Sequence, residues 1–142
     1  MNAMHRCAVI GVLDNGTQGL TAQADKILRC ADVVIGGTRT LHLFANVLKD
    51  NCTTHDLTGN MTQVPQWIRA AQQQGLRCAV LATGDPLCHG IANYLAAQLC
   101  FDALEILPNT STIQLACARV GLPWQDLHIV SIHSKDAGEW QE

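Results

Sequence analysis

The chain has 142 residues, 48% of them apolar and 15% charged, with a formal net charge of −3. That length supports one hydrophobic core and is too short for two ordinary domains. The sparse, slightly acidic charge lacks the basic field that neutralises nucleic-acid phosphates. No apolar run approaches the ~20 residues of a membrane span, and Met1 to Arg6 leads directly into strand-like sequence without a secretory signal. The sequence therefore predicts a soluble, cytoplasmic protein with neither nucleic acid nor a membrane as partner.

In chain order, short β-rich runs alternate with longer stretches of helical period, the pattern of a parallel sheet covered by helices. Residues 7–12 read as a first strand, followed by a Gly/Asp/Asn turn and by Thr21, which caps a helix through about Cys30. A second strand over 32–35 ends on Gly36-Gly37, and a helix over 40–48 leads to a short strand near 52–56. Val64, Trp67, Ile68 and Ala71 recur at helical spacing within 61–74, and Gly75 supplies the stop. The nearly all-apolar run 76–82 reads as a strand buried on both faces, ending on Thr83-Gly84-Asp85-Pro86. A helix over 87–99, a strand over 104–107, a polar turn Pro108-Asn109-Thr110 and a helix from Ser111 to Gly121 follow. Residues 128–132 read as one more strand, before a polar tail from His133.

The cysteines, Cys7, Cys30, Cys52, Cys78, Cys88, Cys100 and Cys117, are odd in number and scattered, with no C-x-x-C pair. That spacing fits neither a disulfide framework nor a paired-thiolate zinc site, so they read as reduced thiols, most of them packed as small hydrophobes. His89 beside Cys88, and His42, His55, His128 and His133, come from unrelated elements without ligand spacing, so no metal site is predicted. No G-x-S-x-G nucleophile elbow is present.

In an open α/β sheet, ligands bind outside the carboxyl ends of the strands. Three loops have that position. The first, 11–16, carries Gly11, Asp14 and Gly16 but lacks the spacing of a dinucleotide fingerprint. The second, Thr83-Gly84-Asp85-Pro86, has two readings: a glycine that admits a ligand to the backbone beside a carboxylate, or an Asp85 helix cap with Pro86 in the first turn. The third, 108–112, places Ser111 and Thr112 at a helix start, where they are either ligand contacts or caps.

Taken in order, Val9-Ile10-Gly11, Gly19-Leu20-Thr21, the segment from Ala31 through Asp32 to Gly36-Gly37, Ala82-Thr83-Gly84-Asp85-Pro86 with Gly90, and Pro108 with Ser111 and Gln114 resemble the tetrapyrrole methylase superfamily. The resemblance covers nearly the whole chain. Gly36-Gly37-x-Arg39, Gly121-Leu122-Pro123-Trp124-Gln125-Asp126 and Val130-Ser131-Ile132-His133 liken it to the branch that methylates C5 of a precorrin, some members being fused to a C15-methylating decarboxylase. This chain has Leu13 where relatives usually have a second glycine, and His133-Ser134-Lys135 where they tend to have His-Gly-Arg.

The resemblance implies an N-terminal tetrapyrrole methylase domain over 1–133, an α/β fold with a mostly parallel five-stranded sheet sandwiched between helices. Residues 134–142 would be a tail leading to a second domain that completes the active site, and without it the chain is expected to self-associate or depend on a partner, and to be inactive. It implies S-adenosylmethionine as cofactor, contacted by Thr83, Gly84, Asp85, Cys88, Ser111 and Thr112, and a corrinoid precursor as substrate, faced by the loop holding Gly11 and Asp14. Methyl transfer from a sulfonium needs orientation more than an activated protein nucleophile, and no catalytic base can be named. The alternatives are another enzyme of this fold, of the diphthine synthase or rRNA methyltransferase type, or a non-catalytic isolated domain. A phosphoacceptor signalling domain has similar alternation but needs an acidic pair after strand one and a lysine after strand five; only Asp14 and the lysine-free 107–112 stand there.

Overall fold

The structure, a computed structural model, describes residues 4–131. Five short strands are connected through helices: β1 (Cys7–Val12), β2 (Val33–Gly36), β3 (Thr53–Asp56), β4 (Cys78–Thr83) and β5 (Leu104–Leu107). They form one sheet in the order β3-β2-β4-β1-β5, and every pairing is parallel. Parallel neighbours need crossovers, supplied by α1 (Ala22–Cys30), α2 (Thr38–Phe44), α3 (Val64–Gln73) and α4 (Ile91–Leu99). By compactness the chain divides into Met1–Ser111, which holds all of these elements, and Thr112–Glu142, which opens with α5 (Thr112–Val120).

Both faces of the sheet are covered, as the continuous burial of all six β1 residues requires. Period-two alternation sends Cys7, Val9, Val33, Ile35, Cys78, Val80 and Ala82 to one face, against Val64, Ile68 and Ala71 of α3 and Ala92 and Leu95 of α4. The alternate residues Ala8, Ile10, Val12, Val34, Ala79 and Leu81 meet Ala24 and Leu28 of α1 and Phe44 of α2. The chain thus winds in two directions from the central pair β1 and β4. Loops leaving these two strands diverge to opposite faces and open a crevice at their carboxyl ends.

Local chemistry sets the element ends. The Thr21 hydroxyl accepts the Ala24 N–H at 3.1 Å and starts α1. The predicted helix over 40–48 is α2 at 38–44 followed by a 3-10 turn, Ala45–Val47. The predicted helix over 61–74 likewise opens with a 3-10 turn, Met61–Gln63, before α3. The helix predicted from residue 87 begins only at Ile91, because residues 86–90 form a tight turn in which His89 has φ of +51°. Gly90 caps α4 there with its Cα so close to the Pro86 carbonyl that a Cβ would stand 2.4 Å from the oxygen.

At the amino edge of the sheet, Asp32 accepts hydrogen bonds from the Lys49 ammonium and, at 2.8 Å, from the Arg77 N–H. These contacts pin the starts of β2 and β4 and hold the carboxyl below its ordinary range, Lys49 first and the Arg77 amide second. All seven thiols are free. Cys7, Cys78 and Cys117 are buried, whereas Cys100 is exposed and so departs from the small-hydrophobe reading. Contact with Cys78 and burial push the Cys7 thiol well above its ordinary range, which keeps it protonated and unreactive.

In the second unit, α5 ends in a Schellman turn: Gly121 has φ of +70° and the Leu122 N–H donates to the Cys117 carbonyl at 3.0 Å. Leu122, Trp124, Leu127 and Val130 follow with their side chains exposed. Residues 128–131 form no strand, contrary to the sequence reading; apolar and β-branched composition makes a strand only where a partner edge pairs with it. Ile132, the predicted tail from His133 and the proposed boundary at 133/134 lie outside the described residues.

Candidate functional site at the exits of β1 and β4

The register aligns Gly11 with Ala82 and Val12 with Thr83, so the two central strands end side by side. Beyond the ladder, the Gly84 N–H donates to the Val12 carbonyl at 2.8 Å. Gly84 is buried, with φ of +74°, a left-handed conformation that glycine adopts without the steric cost of a Cβ. The turn this creates leaves Thr83 exposed as the last residue of β4.

Asp85 is half-buried and its Oδ1 accepts the Leu87 N–H at 2.8 Å. The carboxylate therefore closes an Asx-type turn instead of capping α4, whose cap is Gly90. Cys88, half-buried, lies in this turn with its N–H directed to the Asp85 carbonyl at 3.3 Å, and is not yet helical. Ser111 is buried at the end of the first unit; Thr112 is exposed and is the first residue of α5 in the second.

Gly11 has a structural reason of its own. It is buried, and a Cβ there would stand 2.4 Å from the Gly84 carbonyl oxygen and 2.8 Å from the Asn109 Cβ. Only glycine lets the loops after β1, β4 and β5 meet at this point. Asn109 then ties the loop after β5 to β1 and the loop that follows it: its side-chain amide donates to the carbonyls of Gly11 and Gly19, each at 2.9 Å, while its Oδ1 accepts the Thr110 N–H at 2.8 Å. The sequence reading assigns no role to Asn109. Its signal was an asparagine in the turn after a buried strand, a residue able to donate and accept at once.

Asp14, exposed, joins Thr83 and Arg39 around a small cleft of about 80 Å³, with Val12, Leu13, Thr40 and Leu43. A wider groove of about 820 Å³ adjoins it through Arg39 and runs between α2 and the β3 edge. Asp56 on that groove lies below the ordinary carboxylate range, held first by the Thr38 hydroxyl and then by the amide and hydroxyl of Thr58. The structure thus brings together Gly11 with Gly84, and Asp14 with Thr83. Among the described residues no group of three His, Cys, Asp or Glu side chains converges as a metal site, and no helix is long and apolar enough to cross a membrane.

The comparisons with known proteins agree on one family. The profile of the Tetrapyrrole (Corrin/Porphyrin) Methylases matches residues 6–142. A probable cobalt-precorrin-7 C(5)-methyltransferase of Methanocaldococcus jannaschii is 31% identical over 130 residues, covering 90% of this chain and 60% of that protein. A decarboxylating precorrin-6Y C(5,15)-methyltransferase of a Sinorhizobium species is 32% identical over 127 residues, covering 89% of this chain and 30% of that protein. The crystal structure of a cobalamin biosynthesis precorrin-6Y methylase from Archaeoglobus fulgidus superposes with a TM-score of 0.67 at 26% identity, covering 90% of this chain and 64% of that one. The chain thus spans between about a third and two thirds of the length of these relatives, and it belongs to the tetrapyrrole methylase family.

Proposed function

We propose that this chain is the cofactor-binding part of an S-adenosylmethionine-dependent enzyme that methylates C5 of a precorrin or cobalt-precorrin in cobalamin biosynthesis. The observation that carries the reading is the junction of the β1 and β4 exits, where Gly84 bonds to Val12 at the point from which the crossovers diverge. Relatives that bear the C5 name over most of this chain support the choice of substrate.

The residues at the junction suit this cofactor. The exposed Thr83 hydroxyl, the left-handed backbone at Gly84 and the Asp85 carboxylate form a donor and acceptor set for an ammonium, a carboxylate and ribose hydroxyls. Asp85 keeps Oδ2 available while Oδ1 holds the turn. Cys88 and Ser111 complete the proposed cofactor contacts of the first unit, and Gly11 and Asp14 are proposed to border the macrocycle. The bound cofactor supplies the methyl group in an in-line displacement. The chain's own task is to fix donor and acceptor in register, for which rigid backbone serves better than a nucleophile.

Isothermal calorimetry with S-adenosylmethionine and with its demethylated product tests this reading. Millimolar-range binding is expected, weakened by Thr83→Val, which removes an exposed hydroxyl without touching the core. No heat with either compound, together with unshifted amide signals at 83–85 in a nitrogen-edited NMR titration, would remove the proposal for this chain.

A further inference from the structure

Arg39 stands out among the charged groups of the first unit. It is exposed, and it lines both the small cleft with Asp14 and Thr83 and the wide groove beyond. Among the described residues it has no ion-pair or hydrogen-bond partner. Two of the neighbouring charges are engaged elsewhere. Asp56, which lines the same groove, is already engaged by the Thr38 hydroxyl and the Thr58 amide. Lys49 is paired with Asp32. A guanidinium therefore remains with its full fork of donors at the edge of the proposed substrate cleft, and a fork of that geometry matches a carboxylate bidentately.

We propose that Arg39 is a substrate-binding residue that takes a carboxylate of a polycarboxylate macrocycle lying across the exits of β1 and β4. The inference rests on the corrinoid reading above and assigns a role to the arginine of Gly36-Gly37-x-Arg39. Gly36 ends β2 and Gly37 caps α2, so Arg39 sits in the first turn of that helix. The Thr38 hydroxyl occupies one oxygen of Asp56, a carboxylate that lines the same groove as the guanidinium.

The test compares two corrinoids on the same frame: cobyrinic acid, whose peripheral side chains are carboxylates, and cobinamide, in which they are amides. Both are titrated by quenching of the intrinsic tryptophan fluorescence of the chain and its Arg39→Lys and Arg39→Ala variants. Unchanged thermal unfolding and unchanged S-adenosylmethionine binding report that each variant is intact. We expect Arg39→Ala to weaken cobyrinic acid binding about tenfold, which is ~1.4 kcal/mol. Arg39→Lys should recover part of the loss, and cobinamide should bind all three proteins alike. Equal cobyrinic acid affinity in the chain and in a folded Arg39→Ala variant would overturn the role of Arg39 while leaving the corrinoid reading intact. If the unaltered chain binds neither corrinoid, the substrate reading falls and the inference with it.

Discussion

Asn109 donates its side-chain amide to the Gly11 carbonyl at 2.9 Å, joining the loop after β5 to the end of β1 across nearly the full length of the first unit. The same amide reaches Gly19 at the same distance, so one part-buried side chain holds both ends of the loop between β1 and α1. Removing it leaves two carbonyls and the Thr110 N–H without their partner. We expect Asn109→Ala to cost about 1–3 kcal/mol, read as a lower urea midpoint. Asn109→Asp should cost more, because a carboxylate only accepts and would face two carbonyl oxygens. An Asp variant as stable as the parent would refute this account of the junction.

Gly11 makes a second prediction. A Cβ there would sit 2.4 Å from the Gly84 carbonyl, which is backbone held against the end of β1 by the Gly84 N–H to Val12 hydrogen bond and not the end of a flexible side chain. Gly11→Ala must part β1 and β4 at their ends, an overpacking cost of ~1–3 kcal/mol. Gly37→Ala serves as the control, since its nearest atom is the Thr58 hydroxyl at 3.7 Å; it caps α2, so a cost below about 1 kcal/mol is expected. Equal unfolding midpoints for the two variants would contradict the close approach.

Much of this architecture is legible in the chain. The nearly all-apolar β1 and β4 runs can satisfy their surroundings only as central strands, and Thr21 and Gly121 mark helix ends through hydroxyl capping and left-handed backbone. What escapes is long-range. The start of α4 depends on Gly90 fitting under the Pro86 carbonyl, and no local propensity records that contact. Asp85 reads from local pattern as a helix cap before it reads as a ligand group, and the structure shows a third use, the Asx-type turn at Leu87. The role of Asn109 depends on strands that are distant in sequence and become neighbours only in the sheet. Residues 128–131 fail as a strand for the converse reason, since composition cannot supply a partner edge.

Gly84 separates conformation from binding. Its φ of +74° is costly for any L side chain, so Gly84→Ala should lose ~1–2 kcal/mol from backbone strain alone, and a β-branched valine more. S-adenosylmethionine affinity, measured well below the unfolding temperature so that the protein stays folded, should fall as well if the ligand approaches this backbone. A variant that is less stable yet binds the cofactor as tightly would show that Gly84 serves the turn only.

Asp32 supplies the pH-dependent part of stability. Its carboxyl lies below the ordinary value in the folded chain, first because of Lys49 and then because of the Arg77 amide. In the unfolded chain it returns to about 3.9. A lowered folded value means that the unfolded state binds the proton more readily. The contribution is therefore present in full above about pH 4 to 5 and is lost as the pH falls through the folded value. Asp32→Asn keeps the shape and an acceptor for the Arg77 N–H but has no charge for Lys49. Urea midpoints of the parent and the Asn variant, measured from pH 6 to 2.5, should therefore differ in favour of the parent at the upper end and converge at the lower. Because the pair is partly exposed, with side chains 33% and 27% accessible, added salt should shrink the difference at pH 6 as well. A gap that stays constant across the whole pH range would mean that Asp32 contributes through shape alone and that its charge does not hold the starts of β2 and β4 together.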